Sequence, residues 1–260
     1  MKNILIGDIG NTLTKVCLLE IKTLKLKKII YLNSKNITSK NYLSKNLKNI
    51  TKHRFINKTS LFSSVVPKYN LMMKKFLYET YKIKLIEIKS KRIKKIIKIN
   101  IKNKNQVGSD RICNAVGAYI KFNSNCIVLD FGTATTFDVI TKNGSYNGGI
   151  IAPGVNLSMK SLSSSADQIP IFSIKKQKKV IGKNTLEALR SGFYWGYSGL
   201  INNIILKIEK ETKLKYKIIF TGGYANLFKN SITKPFKIDK NITIRGIIEI
   251  FKKNKETLIK

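Results

Sequence analysis

Two short apolar runs along the chain each end at an aspartate. Residues 4–7 lead into Asp8, and residues 126–129 lead into Asp130. In both places a glycine stands two positions after the aspartate, and a second apolar stretch follows, at 15–19 and at 137–140. Apolar runs of this length, interrupted by glycine, are typical of buried strands joined by tight turns. The pattern therefore predicts two strand–turn–strand units.

The two units are related by an offset of 122 residues (130 − 8 = 122). This offset superimposes three pairs of identical residues: Asp8 and Asp130, Gly10 and Gly132, Thr14 and Thr136. The offset is about one domain length. A supersecondary unit repeated at this spacing indicates two similar α/β halves facing each other across a cleft.

The residue types in both turns suit the binding of phosphate. Glycine at 10 and 132 lets the backbone approach an anion closely, and polar groups at 11–12 and 133–135 supply hydrogen-bond donors. A bare carboxylate would repel phosphate, so Asp8 or Asp130 implies a bound metal ion. The alternative is that aspartate and glycine are ordinary turn formers in two hairpins.

A helix is predicted just after Gly108. Its apolar residues are spaced three and four apart, as on one helix face: Ile112, Ala115, Val116, Tyr119 and Ile120. Asp110 would lie in the first turn, where the helix dipole favours an ionised carboxylate that can accept a proton from a substrate hydroxyl. Arg111 beside it could pair with a substrate carboxylate. The alternative is a helix cap with a surface arginine.

A second helix is predicted from a capping box at 184–187, and it continues through Leu186, Leu189 and Phe193. Thr185 at its start could contact substrate or serve as a cap. Three glycines on this helix form a small face, which favours core packing over a subunit interface: Gly192, Gly196 and Gly199. The glycine pair at 148–149 and the Pro-Gly pair at 153–154 are typical of a turn and a loop, and 217–223 of a strand followed by a glycine turn.

Charge changes this picture less than its size suggests. Lysine and arginine total 50 against 14 acidic residues, a net charge of +36. Arginine, the usual residue for bidentate phosphate and base contacts, supplies only five of the 50, and lysine is spread along almost the whole chain. We therefore interpret the charge first as compositional background and only second as a signal of nucleic-acid binding. The lysine-rich segment 82–104 is typical of a solvated stretch.

The remaining composition excludes several classes of protein. A hydrophobic content of 43% excludes a disordered basic tail. Three cysteines without a CxxC pair argue against a disulfide framework or a cysteine zinc site, and one histidine, His53, excludes a multi-histidine metal site. No apolar run reaches membrane-spanning length, and the N-terminal stretch meets Asp8 too early for a signal peptide. We expect a cytoplasmic protein without membrane partners.

In several motifs the sequence resembles the type III pantothenate kinases, members of the acetate-kinase, sugar-kinase, Hsp70 and actin superfamily. The motifs that carry the resemblance lie at 8–12, 108–111, 130–138, 148–154, 182–185, 191–192 and 221–223. The resemblance implies two duplicated ribonuclease-H-like domains, at 1–118 and 119–260, each with a mixed five-stranded sheet and flanking helices. It implies phosphorylation of pantothenate by ATP, the first step of coenzyme A synthesis, in a homodimer.

The resemblance also implies roles for individual residues. Asp110 would be the general base. Contacts to ATP would come from Asp8, Ile9, Gly10, Asn11, Thr12, Leu13, Thr14, Lys15 and Thr133. Contacts to pantothenate would come from Gly108, Ser109, Asp110, Arg111 and Thr185. Asp8 would hold Mg²⁺, directly or through water, and Asp130 would hold K⁺ or NH₄⁺.

The sequence departs from the family pattern in one loop. Ile101 stands where the family usually has a tyrosine that contacts pantothenate, and Lys104 stands where proline is common. Two other readings stay open. One is an accessory regulatory protein associated with nucleic acid, and the other is a kinase of the same superfamily that acts on a different small hydroxyl or carboxylate substrate.

Overall fold

A computed structural model describes residues 2–51 and 56–259, so His53 lies outside the described residues. The chain divides into two compact units. The first unit comprises Met1–Lys121 together with Asn241–Lys260, and the second comprises Phe122–Lys240. The predicted division at 118/119 falls inside a helix, Ser109–Phe122, and the predicted second domain included the C-terminal twenty residues that belong to the first unit.

The first unit is built on a five-stranded mixed sheet in the order β3-β2-β1-β4-β5. Its strands are β1 (Asn3–Ile9), β2 (Leu13–Glu20), β3 (Leu26–Asn33), β4 (Ile56–Ser64) and β5 (Lys84–Glu87). Neighbours among the first three strands are antiparallel, whereas β4 lies parallel to β1 and β5 parallel to β4. Its helices are α1 (Lys40–Thr51), α2 (Pro67–Tyr81) and α3 (Ser109–Phe122), and a short strand β6 (Lys98–Ile99) precedes α3.

The second unit repeats this topology. Its strands are β7 (Cys126–Phe131), β8 (Ala134–Thr141), β9 (Ser145–Pro153), β10 (Lys217–Gly222) and β11 (Phe236–Ile238). They follow the order β11-β10-β7-β8-β9, again with the first three strands antiparallel and the last two parallel. The helices are α4 (Val155–Ser165) and α5 (Thr185–Thr212). The predicted pair of duplicated ribonuclease-H-like folds is confirmed.

The two units share a burial pattern along their first strands, which explains why both halves of the chain form the same structure. In both β1 and β7 the four residues before the aspartate are buried, the aspartate is half-buried, and the residue after it is buried again. Strands β2 and β8 share a run of four buried residues, so both faces of these central strands lie in apolar surroundings. One core packs α1 and α2 against the first sheet, and another packs α4 and α5 against the second.

The C-terminal helices α6 (Ile242–Lys253) and α7 (Lys255–Leu258) complete the first unit. Buried polar contacts join them to it. Thr243 Oγ1 donates to Asn114 Oδ1 over 2.7 Å, and Asn57 Nδ2 donates to the carbonyl of Leu258 over 2.6 Å. Because these contacts span up to 201 residues of sequence, a local pattern does not reveal them.

Three local predictions are wrong. Segment 82–104 is more than a solvated stretch, because its lysines alternate with buried isoleucines at 83, 88, 93, 97 and 99. Gly148 and Gly149 lie within β9 and not in a turn. The glycine face of α5 does not pack in the core, because a Cβ added at 192, 196 or 199 would meet no atom within 4 Å. None of the helices in the described part of the chain is long and apolar enough to cross a membrane.

Candidate active site

The first turn follows the half-buried Asp8 near the end of β1. Asp8 lies opposite Lys15 on β2 and opposite Ser63 on β4. The turn closes with a hydrogen bond of 3.2 Å from Gly10 N–H to the carbonyl of Leu13. A Cβ at Gly10 would lie 2.8 Å from that oxygen, so the tight closure requires glycine.

The second turn has the same form but is one residue shorter. Gly132 N–H donates to the carbonyl of Ala134 over 3.1 Å, and Asp130 lies opposite Thr136. Thr136 therefore corresponds to Lys15, and the predicted match between Thr14 and Thr136 is wrong by one residue. The structural counterpart of Thr14 is Thr135, and both threonines are fully buried.

The residues predicted to bind ATP fall into two groups. Asn11, Thr12, Leu13 and Thr133 are exposed in the two turns. In contrast, the side chains of Ile9 and Thr14 lie in the core, where Thr14 Oγ1 is 2.8 Å from Ser34 Oγ. Because these side chains face the core of the first unit, any contact that the two residues make with a nucleotide is through the backbone.

Two further turns support the Asp130 turn within the second unit. Gly222 has a φ of +84°, and a Cβ there would lie 2.6 Å from Asp130 Oδ1. The next residue, Gly223, donates its N–H to the carbonyl of Phe131 over 3.1 Å. A Cβ at Gly154, just before α4, would lie 2.1 Å from the Thr133 carbonyl oxygen. The predicted strand and glycine turn at 217–223 is confirmed, and the glycine lets the backbone of this turn pack directly against the Asp130 carboxylate.

Asp110 lies in the first turn of α3, as predicted. Its Oδ1 accepts a hydrogen bond of 2.7 Å from Arg111 N–H, and a Cβ at Gly108 would lie 2.6 Å from that oxygen. Burial raises the pKa of Asp110, whereas the Arg111 N–H and the guanidinium charge of Arg111 lower it, and burial has the larger effect. A carboxylate with a raised pKa is a better proton acceptor than one in water.

The Cys113 thiol lies within the electrostatic range of two carboxylates of the first unit. Burial raises its pKa most, and the charges of Asp8 and then Asp110 raise it further. Both carboxylates therefore lie close enough to act on one thiol. Burial also raises the pKa of Cys17 to about 12 and of Cys126 to about 11. All three cysteines are buried and free, so the thiols stay protonated and are poor nucleophiles.

Thr185 begins α5 and is exposed. The predicted capping box forms in a modified way. Asn184 Oδ1 accepts from Glu187 N–H over 2.9 Å, while Glu187 Oε2 accepts from Lys183 N–H over 2.8 Å instead of from the cap residue. Asn184 therefore provides the cap, and the Thr185 side chain is left for contacts outside the helix.

Sequence reasoning missed Glu87, at the end of β5. Its Oε1 is 2.5 Å from the Ser109 hydroxyl, next to Asp110. The pattern that identified Asp8 and Asp130, a scarce acidic residue at the end of a strand, could have identified Glu87 as well. Glu87 is one of only 14 acidic residues, and it ends a short strand.

The carboxylates of the candidate site suit a cation that takes some of its ligands from a bound substrate. In the described residues, no group of three or more His, Cys, Asp or Glu side chains could hold a metal ion. A site of this kind provides one or two carboxylates and leaves the other positions to water and substrate phosphates, as Mg²⁺ with a nucleotide requires. Asp8 in the first unit and Asp130 in the second offer such single hard oxygen ligands.

Two units of identical strand order, each with an aspartate near the end of its first strand and a glycine turn after that strand, define a protein of the actin-like and sugar-kinase fold. Solved structures agree. A Baf family transcriptional activator from Campylobacter jejuni has a TM-score of 0.63 and 23% identity, over 97% of this chain and 99% of that one. MreB5 of Spiroplasma citri bound to ADP has a TM-score of 0.56 and 13% identity, over 99% and 98%. At these identities the likeness concerns the fold alone.

Sequence relatives specify the family. The family model for type III pantothenate kinase matches residues 4–207. A type III pantothenate kinase of Pelagibacter ubique is 50% identical over 94% of this chain and 97% of its own length. Another, of Hyphomonas neptunium, is 37% identical over 74% of this chain and 76% of its own length. The chain belongs to the type III pantothenate kinase family, and the predicted family is confirmed. ATP with a divalent metal ion is the phosphoryl donor that such a kinase uses.

Proposed function

We propose that the protein transfers the γ-phosphoryl group of ATP to the primary hydroxyl of pantothenate, giving ADP and 4′-phosphopantothenate in the first step of coenzyme A synthesis. Family membership across residues 4–207 carries this proposal. The half-buried Asp110 carboxylate at the start of α3 supplies the chemistry the reaction needs.

Asp110 is the general base in this mechanism. Its carboxylate takes the proton of the attacking hydroxyl as the oxygen–phosphorus bond forms and the bond to the β-phosphate oxygen breaks. Burial, which raises the pKa of Asp110, increases its affinity for that proton. Arg111 pairs with the pantothenate carboxylate, and the backbone at 108–111 borders the same substrate. The protein mainly positions groups and offsets charge, as is general for phosphoryl transfer.

The first turn and Asp8 bind the nucleotide. Exposed Asn11 and Thr12 offer hydrogen-bond donors to phosphate oxygens, and Lys15 lies opposite Asp8 on the neighbouring strand. Asp8 is the ligand for Mg²⁺, directly or through water, and this ion neutralises phosphate charge when bound. A single carboxylate ligand fits an ion that keeps most of its ligands as water and phosphate oxygens.

In the second unit, Asp130 is the ligand for a monovalent cation, K⁺ or NH₄⁺. A hard carboxylate oxygen near the end of β7 supports this assignment, and the Gly222 backbone packs so closely against it that a Cβ there would lie 2.6 Å from Oδ1. Thr133, exposed in the turn after Asp130, contacts the nucleotide, and Thr185 at the start of α5 contacts pantothenate.

The active form is a cytoplasmic homodimer that pairs through the second unit. Apolar side chains there are exposed, including Ile171 at 94% and Ile181 at 75%. The open glycine face of α5 would let a second copy approach closely. Analytical ultracentrifugation tests this: we expect a dimer, and Ile171→Lys with Ile181→Lys should shift it toward monomer. A wild-type monomer at micromolar concentration contradicts the proposal.

The activity is tested by ADP release from ATP with and without pantothenate, in K⁺ or Na⁺, with the product identified by mass spectrometry. We expect release to require pantothenate and to be faster in K⁺. ADP release that ignores pantothenate would overturn the assignment. Salt-sensitive DNA binding without pantothenate-dependent release would favour a nucleic-acid role instead.

A further inference from the structure

The end of β5 holds the loop that leads into α3 at three points. Lys89 Nζ donates to the carbonyl of Asn105 over 2.8 Å and to that of Val107 over 3.1 Å. Glu87 Oε1 is 2.5 Å from Ser109 Oγ. The three points lie on alternate residues, immediately before Asp110, so this contact set fixes the path of the chain into the helix.

Glu87 is itself held in place. Its Oε2 accepts a hydrogen bond of 2.7 Å from Lys89 N–H, while Oε1 faces Ser109. Both carboxylate oxygens are therefore engaged inside the protein. A half-buried charge of this kind costs desolvation that an apolar side chain would avoid, which points to a role beyond packing.

Ser109 connects Glu87 to the neighbouring strand. Its side chain is buried, and its hydroxyl is also 2.9 Å from the carbonyl of Ser64 at the end of β4. Ser109 is thus held between the ends of β4 and β5. Because Asp110 is the next residue, fixing Ser109 also fixes the direction in which the Asp110 carboxylate leaves the backbone.

We propose that Glu87 is a positioning residue for the phosphoryl-transfer reaction, acting through Ser109 to orient the Asp110 carboxylate. The inference rests on the proposed role of Asp110 as general base. Glu87 contributes no atom to the reaction. It reduces the freedom of the base, and an error of about 1 Å in such a group can cost about 100-fold in rate.

Glu87→Ala, Ser109→Ala and the double variant test this, with Glu79→Ala as the matched control. Glu79 is an exposed glutamate of α2 that pairs with Lys40 and Lys75. We expect Glu87→Ala and Ser109→Ala each to lower kcat about 10- to 100-fold, with the KM for ATP within about twofold of wild type. The double variant should lose no more than the worse single variant, because both changes break one link. Glu79→Ala should keep the wild-type kcat.

The readouts separate positioning from stability. Thermal unfolding of each variant is measured alongside kcat, since a purely structural Glu87 would lower the Tm and leave the kcat of the folded fraction unchanged. That result, or losses that multiply in the double variant, would overturn the positioning role. Wild-type protein without pantothenate-dependent ADP release would instead overturn the proposed function, whatever the variants do.

Discussion

Gly246 of α6 packs against Cys113 of α3 so closely that a Cβ at 246 would lie 1.8 Å from the Cys113 carbonyl oxygen. The reverse contact is nearly as close, because a Cβ at Gly117 would lie 2.4 Å from the carbonyl oxygen of Ile242. The two helices thus meet backbone to backbone. Cys113 lies one turn after Asp110, so the C-terminal helix supports the helix that carries the proposed base.

Gly246→Ala should therefore destabilise the first unit. The added methyl group meets backbone atoms that cannot rotate away, and overpacking of this kind costs about 1–3 kcal/mol. Urea denaturation followed by circular dichroism measures the change. Gly223→Ala is the matched control, since its Cβ would meet only the Phe131 carbonyl oxygen, at 4.0 Å. Alanine at a backbone position that it can adopt without strain should raise stability by up to about 1 kcal/mol. Equal effects of the two substitutions would contradict the close contact.

The sequence predicted the parts of this fold that local patterns encode. The two strand–turn–strand units, α3 with Asp110 in its first turn, and the cap at Asn184 all depend on residues a few positions apart. Periodicity and turn chemistry are sufficient to identify such elements.

What the sequence did not predict depends on distant partners. The return of α6 to the first unit relies on the close contact between Gly246 and Cys113. The residues on either side of each position do not identify its distant partner. The turn after Asp130 is one residue shorter than the turn after Asp8 because its backbone hydrogen bond closes one residue earlier. The identical residues at a constant offset in the sequence do not show this difference. Glu87 became visible only when the topology placed the end of β5 beside Ser109.

Asp110→Asn should abolish turnover and leave the fold intact. Loss of a general base typically costs about 100- to 10,000-fold in rate, and asparagine keeps the size and one acceptor oxygen. Measured kcat should fall within or beyond that range, while the KM for ATP changes little. Full activity in the variant would exclude Asp110 as the base.

The same substitution should not lower stability at neutral pH. Burial raises the pKa of Asp110 in the folded protein, so the folded state favours the neutral carboxyl more than the unfolded state does. Its ionisation therefore costs folding free energy at any pH above the folded-state pKa, and that cost disappears as the pH falls below the unfolded-state value. Asparagine cannot ionise, so we expect a Tm at pH 7.5 equal to or above that of wild type. A clear drop would mean that the ionised carboxylate makes stabilising contacts that outweigh its burial.

The pH profile of the reaction should follow the same carboxyl group. Turnover needs Asp110 ionised, so kcat should fall as the pH drops through its pKa in the enzyme–substrate complex. Because burial raises that pKa in the free protein, the acid limb should begin at a higher pH than an ordinary aspartate would give. Steady-state rates between pH 4.5 and 8, with stability monitored at each pH, measure the limb. A flat profile down to the lowest pH at which the protein stays folded would contradict it.

Gly222→Ala should weaken the cation site proposed at Asp130. Position 222 has a φ of +84°, and its Cβ would approach both Asp130 Oδ1 and the Phe131 nitrogen to 2.6 Å. Alanine in a left-handed conformation costs about 1–2 kcal/mol, and the methyl group would push the Asp130 carboxylate out of its position. We expect a modest loss of stability and a K⁺ activation reduced to the rate seen in Na⁺. The adjacent Gly223→Ala is the control, because its Cβ would meet only the Phe131 carbonyl oxygen, at 4.0 Å. Rates in K⁺ and Na⁺ at equal ionic strength decide the matter: wild-type K⁺ activation in folded Gly222→Ala would remove Asp130 from the cation site.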